Sequence, residues 1–214
     1  TLPLDRRKRL AKLAKEGLLV LEDDPYGLVR FEGKALPTVF ELAGGENVVY
    51  SSSFSKTIAP GLRVGYMVLP AALAAEVESA AASAYITPAL LSQATVYAFL
   101  RRGKFTPNLE RVCGLLRDRR DAMIGALERH LPEAKWIVPE GGYFLWLELP
   151  GDLPAAELRP EGVTFVRGTD FFAAAGGESS LRLAFSYEPP AAIEEGVRRF
   201  ASAVRAAMLL SRAA

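Results

Sequence analysis

The sequence predicts an α/β chain in two parts: a mainly parallel sheet with helices over 1–105, then a long linking helix and a small α+β unit over 106–214. Three observations carry that prediction. A short unbroken apolar run at 18–21, which ends in a polar turn, and mostly apolar runs at 47–51 and 64–69 have the pattern of strands buried on both faces. Helix-like segments sit between and after them, as parallel sheets require. Beyond Pro132 the pattern changes to strand-like stretches separated by loops rich in Gly and Pro.

In chain order, 5–16 reads as a helix with Leu10, Leu13 and Ala14 facing inward and Gly17 at its C-terminal end. The basic run Arg6, Arg7, Lys8 and Arg9 is its wet face. Residues 71–84 form an Ala-rich helix, and 90–101 another that follows Pro88. A long helix runs from 107 to about 131, with Thr106 placed to cap it and Pro107 in its first turn. Leu109, Val112, Leu116, Met123, Leu127 and Leu131 fall largely on one stripe, which is core packing. Strands follow at 136–138, 143–149, 163–166 and 181–185. A final helix starts near Pro190 with Ile193, Val197, Phe200, Val204 and Met208 on its apolar face.

Composition excludes several classes. Twenty-six basic residues against 25 acidic ones leave no electrostatic footprint for nucleic acid. Cys113 stands alone at an apolar helix position, so no internal disulfide can form, and a reducing cytoplasm is the expected compartment. His130 is the only histidine, which argues against a multi-histidine metal site; it ends a helix, where a cation suits the carbonyls. No signal peptide is recognisable, and the most apolar stretch, 84–100, is interrupted by Pro88, Ser92 and Gln93. No membrane partner is expected.

The chemistry concentrates in 51–66. Ser53, Ser55 and Lys56 lie in a serine-rich loop between two predicted strands, and Arg63 follows seven residues after the lysine. Ligands of α/β sheets gather at loops beyond strand ends. Hydroxyls and a guanidinium fork suit a phosphate ester, and a lysine amine among cations can act as a Schiff-base nucleophile. Ser53 also stands three residues before Lys56, the Ser-x-x-Lys spacing of some serine acyl transferases. The companion motifs of that chemistry are not in the sequence. The turn Asp23, Asp24, Pro25, Tyr26 adds a carboxylate and a phenol at the preceding strand end. Pyridoxal phosphate needs such a pair: the acid keeps its ring nitrogen protonated, and the phenol tunes its ring oxygen. Taken singly, each motif also fits a surface turn or a polar loop.

With these residues the chain resembles the fold-type I aminotransferases (the aspartate aminotransferase superfamily), especially the branch of 2-aminoadipate and kynurenine aminotransferases. The resemblance covers essentially the whole chain. It includes the opening Thr1 to Arg7, the Asp23 to Tyr26 turn, the lysine loop, Gly141 to Trp146, and Leu181 to Ser186. It implies the C-terminal part of the transferase fold that binds pyridoxal 5'-phosphate. It further implies that Lys56 is the Schiff-base lysine and proton carrier, and that Asp23 pairs with the ring nitrogen. Tyr26 would bond the ring oxygen, while Ser53, Ser55 and Arg63 hold the phosphate. Arg182 would grip the substrate α-carboxylate, its plainer reading being a strand-edge surface arginine. Asp24 is expected to bond locally.

The resemblance implies a transaminase acting on an amino acid and a 2-oxo acid, 2-oxoglutarate being the expected acceptor, in a homodimer. It also implies that an upstream half is absent: the chain begins at Thr1, and an asparagine, a stacking aromatic and a glycine-rich helix start expected before it are missing. Such a fragment would leave an open sheet edge and show little turnover alone. Two alternatives use the same scaffold: the ligand-sensing domain of a transcription regulator, and a lyase.

Overall fold

The structure, a computed structural model, describes residues 2–213. Thr1, quoted above as the start of a resembling segment, lies outside the described residues. The chain divides into two compact units, Thr1–Val112 and Cys113–Ala214.

The first unit opens with helix α1 (Leu4–Lys15), followed by β1 (Val20–Asp23), α2 (Val39–Ala43), β2 (Val48–Ser53) and β3 (Gly65–Val68). Helices α3 (Ala71–Tyr85) and α4 (Leu90–Arg101) come next, and the first turns of α5 (Phe105–His130) complete the unit. The sheet order is β1-β2-β3. β1 and β2 are parallel, with Val20 opposite Val48 and Asp23 opposite Ser51. β3 turns back antiparallel, pairing Tyr50 with Val68 and Ser53 with Gly65. Its direction follows from its connection: a parallel return needs a crossover of a dozen or more residues, usually a helix, and 54–64 is too short.

Small side chains let α1 and α2 approach one face of this sheet. Ala11, Ala14, Val39, Ala43 and Val48 form the buried centre, with Leu10, Val20, Phe40 and Leu42 packed around them. Leu13, expected inside, is 37% exposed, and Ala11 takes the buried position. The opposite sheet face does not match the expectation of strands buried on both sides. Alternation along β1 places Leu19 and Leu21 there, 57% and 67% exposed, together with Met67 of β3 at 58%.

α2 is only five residues long, yet its start is well satisfied. Thr38 and Glu41 form a capping box: Glu41 N–H donates to Thr38 Oγ1 at 3.0 Å, and Thr38 N–H to Glu41 Oε2 at 2.8 Å. Glu22 of β1 adds a carboxylate that accepts from Val39 N and Phe40 N, each at 2.9 Å. Two otherwise unpaired donors of the first turn are thereby satisfied by an anion, which the helix dipole also favours.

In the second unit the rest of α5 and helix α6 (Pro190–Ala213) accompany a four-stranded antiparallel sheet of order β4-β5-β7-β6. Its strands are β4 (Lys135–Trp136), β5 (Phe144–Glu148), β6 (Val166–Arg167) and β7 (Ser180–Ala184). Leu145, Leu147, Leu181 and Leu183 of the two central strands are buried, as are Leu127, Phe200 and Val204 of the helices and Leu131 just past α5. Phe144, Trp146 and Glu148 of β5 and Ser180, Arg182 and Ala184 of β7 occupy the alternate positions. α5 starts at Phe105, so Thr106 lies inside the helix and does not cap it. Pro107 is tolerated because first-turn N–H groups have no intrahelical partner. Cys113, expected in the core, is half-buried, and His130 ends α5 with Nε2 2.8 Å from Glu194 Oε1. Arg120 is buried and donates to the Pro139 carbonyl at 2.8 Å.

Candidate active site

Because β1 and β2 are parallel, their C-terminal ends lie on one edge of the first sheet, and the turn after β1 meets the loop after β2 there. Two bonds tie them together. Asp24 N donates to Ser51 O at 2.8 Å, and Ser52 Oγ donates to Asp24 O at 2.9 Å.

The loop folds on itself and is braced from behind. Phe54 N donates to Val64 O at 3.0 Å, and Ile58 N to Phe54 O at 2.8 Å. The Phe54 ring packs against Tyr66 at 5.4 Å between centroids and meets Phe105 edge-on at 6.3 Å. Asn108, in the first turns of α5, donates from Nδ2 to Thr57 O at 2.8 Å. Lys56 is therefore flanked by anchored neighbours.

Within this frame the hydroxyls and the arginine converge. Ser55 N donates to Ser53 Oγ at 3.1 Å, and the two hydroxyl oxygens are 2.9 Å apart. Arg63 adopts left-handed backbone angles, φ 54° and ψ 40°, and its Nη1 donates to Ser55 Oγ at 3.2 Å. A side chain seldom accepts that conformation, and backbone strain of this kind gathers at functional sites. With Ser55 Oγ accepting from Ser53 and Arg63, the Ser55 hydroxyl hydrogen remains to donate elsewhere. A hydroxyl donor beside an exposed guanidinium forms a donor set that a phosphate dianion can use, so these residues fit such a group.

Lys56 and Tyr26 are both half-buried, with Nζ 5.6 Å from the centre of the tyrosine ring. That is within cation–π reach. Asp23 ends β1 opposite Ser51, exposed, on the sheet face away from α1 and α2. Asp24 bonds within the unit: Tyr50 Oη lies 3.4 Å from its Oδ2, and the carboxylate folds over Gly27. A Cβ at Gly27 would stand 2.0 Å from Asp24 Oδ2. Burial, and then the Asp24 charge, push the Tyr50 phenol up to about 12.

Arg182 belongs to the second unit. It lies on β7, an interior strand, opposite Trp146 of β5 and Val166 of β6. It is therefore not the strand-edge surface residue of the plainer reading. Its Cζ stands 4.0 Å from the centre of the Phe144 ring and 4.9 Å from that of Phe171. Its Nε is buried and has no hydrogen-bond partner among the described residues.

The sequence reading missed Ser52 and Asn108, which hold the two loops in place. Ser52 could have been found by strand alternation, since it faces oppositely to Ser51 and Ser53. Nothing local marks Asn108, whose partner is 51 residues away. Among the described residues no cluster of His, Cys, Asp and Glu could hold a metal ion, and no helix is long and apolar enough to cross a membrane.

Residues 1–200 match the family described as aminotransferase class I and II. The chain is 42% identical over 218 residues to the 2-aminoadipate transaminase of Thermus thermophilus, covering 97% of this chain and 54% of that protein. It is 37% identical to the HTH-type transcriptional regulator TauR of Rhodobacter capsulatus, covering 96% and 44%. Among solved structures, it superposes on the α-aminoadipate aminotransferase LysN of Thermus thermophilus, complexed with N-(5'-phosphopyridoxyl)-L-leucine. That match has a TM-score of 0.89 at 40% identity and covers 97% of this chain and 56% of the other. The kynurenine aminotransferase of Pyrococcus horikoshii matches with a TM-score of 0.88 at 34% identity, covering 94% and 52%. The chain spans about half the length of the curated relatives it matches.

Proposed function

The chain belongs to the family of class I and II aminotransferases, and on that premise we propose that it carries the lysine, phosphate and carboxylate subsites of a pyridoxal-phosphate-dependent transaminase. The observation that supports this most directly is the convergence of Ser53, Ser55 and Arg63 around one donor cluster, in the same loop as Lys56 and with Tyr26 beside the lysine amine.

When bound, the cofactor supplies an electron sink for the bond that breaks at the substrate α-carbon. The protein's residues bind and move protons. Ser55 would donate its hydroxyl hydrogen to the phosphate, Ser53 would hold that hydroxyl in place through its own hydrogen, and Arg63 would supply charge and a planar fork. Lys56 would be the residue that holds the cofactor through its amine, and the same amine would serve as the base that carries the proton at the substrate α-carbon. The Asp23 carboxylate would keep the proton on the ring nitrogen, and the Tyr26 hydroxyl would bond the ring oxygen. Arg182 takes the α-carboxylate of the substrate. The substrate pair is an amino acid and a 2-oxo acid, with 2-oxoglutarate as acceptor, and the working assembly is a cytoplasmic homodimer.

Borohydride reduction after incubation with pyridoxal phosphate, followed by peptide mass mapping, tests this. An adduct confined to the Lys56 peptide and lost in Lys56→Ala is the expected result. Labelling spread over exposed lysines, with Lys56 no more reactive than Lys34, would refute the assignment. The 37% identity to TauR favours one second reading, a sensing domain that holds the same cofactor. A sensing domain would trap the cofactor at Lys56 yet give no 2-oxo acid product when assayed within the full-length protein.

A further inference from the structure

The outer face of the second sheet holds Arg182 in a way that its strand position alone does not explain. Arg182 projects from β7 opposite the buried Leu181 and Leu183. Phe144, diagonal to it on β5, places its ring 4.0 Å from the guanidinium carbon. Phe171, at the end of the 3-10 turn Gly168–Phe171, places a second ring at 4.9 Å. The Phe171 ring is itself braced edge-on by Trp146, at 5.4 Å and 82°.

That 3-10 turn is seated without room to spare. Gly168 is buried, and a Cβ there would lie 2.4 Å from the Gly177 carbonyl oxygen and 2.7 Å from Ser180 Cβ. The backbone that carries Phe171 is thus pressed against the segment leading into β7, the strand that carries Arg182. The spacing between ring and guanidinium is set by backbone packing as well as by side-chain attraction.

We propose that Phe144 and Phe171 form an aromatic clamp that fixes the plane of the Arg182 guanidinium and leaves its N–H edge as the recognition surface for a carboxylate. This rests on the reading of Arg182 as the substrate-carboxylate residue. A guanidinium donates hydrogen bonds only in its plane, so rings packed on its faces displace weakly held water without competing for any donor. The buried Nε has no partner among the described residues, and it is one of the two donors of a side-on bidentate pair with a carboxylate. An arginine free to rotate would lose orientational freedom on binding, whereas the clamped one has already lost it. Phe171 is therefore a positioning residue, and it is 47% exposed, so the sheet's core does not depend on it.

The test uses the whole chain and the side-chain Nε–H NMR signal of Arg182, assigned by its loss in Arg182→Lys. Stacked rings should shift that signal upfield, and titration with the dicarboxylate 2-oxoglutarate should move it saturably. Phe171→Leu should weaken that binding about ten-fold, consistent with loss of one cation–π contact in a partly desolvated site. Phe171→Tyr, which retains a ring, should restore it to within about two-fold of the parent. A merely structural role would predict that Leu and Tyr behave alike. Equal affinity in all three proteins, or an Arg182 signal that 2-oxoglutarate never moves, overturns the proposal. Neither result touches cofactor trapping at Lys56, so failure of the clamp and failure of the transaminase reading are separately visible.

Discussion

Replacing Glu22 by Gln should open the start of α2, and the size of the effect follows from two bonds. The carboxylate accepts from Val39 N and Phe40 N at 2.9 Å each, and its side chain is only 13% exposed. A hydrogen bond to a charged partner contributes about 1.5–3 kcal/mol, against about 1 kcal/mol for a neutral one. Glutamine has one acceptor oxygen, so it keeps one bond at neutral strength and turns an amide N–H₂ toward the other donor. Partial hydration of the released N–H reduces the loss, which leaves a net cost of about 2–3 kcal/mol. Hydrogen exchange reads this at the affected atoms: amide exchange of Val39 and Phe40 should accelerate about 30- to 150-fold, at 1.4 kcal/mol per decade. Thr38→Ala serves as the contrast, because it should release mainly the Glu41 amide. Exchange at Val39 and Phe40 that stays within three-fold of the parent, on the order of 0.6 kcal/mol, would refute the reasoning. Glu22 also immediately precedes Asp23, so the same variant should loosen the strand end proposed to carry the ring-nitrogen carboxylate.

Two further outcomes follow from the first unit. Tyr50 should titrate near pH 12 while an ordinary tyrosine titrates near 10; its folded pKa is the raised one, so its contribution to stability is complete below pH 10 and is lost as pH rises toward 12. Ultraviolet titration should show one late tyrosinate, absent in Tyr50→Phe, and alkaline unfolding should then be less steep over that window. Asn108→Ala removes the bond to the Thr57 carbonyl and should cost about 1 kcal/mol, with faster exchange or proteolysis confined to 54–63; unchanged protection of that loop would contradict its role as an anchor.

The sequence made the chemistry of the lysine loop legible because spacing alone carries it: two hydroxyls, an amine and a guanidinium within eleven residues, between two apolar runs. Helices α3 and α4 were equally legible, the first from its run of alanines and the second from the Pro88 that precedes it. The direction of β3 was not predicted, since an apolar run fixes which face is covered and not which way the strand runs. Leu19 and Leu21 read as buried on composition, yet burial depends on what packs against them, and the described residues leave that face open. Thr106 and Pro107 suggested a helix start two residues late, because first-turn positions tolerate both kinds of residue. The surroundings of Arg182 were out of reach for another reason. Phe171 lies eleven residues upstream on a different element, and only the register of β5, β6 and β7 brings the aromatic rings to the guanidinium.

The bond from Asn108 to Thr57 has a consequence in time as well as in space. It closes a chain segment of 51 residues, whereas the contacts inside 53–64 close over eleven or fewer. Local turns of the lysine loop can therefore form early, within the microseconds typical of short closures. The loop's rear support must wait until α5 has nucleated and docked. If this long-range tie forms after the main barrier, weakening it speeds unfolding more than it slows folding. The proposed cofactor lysine would then be among the last parts of its unit to settle and among the first to be released.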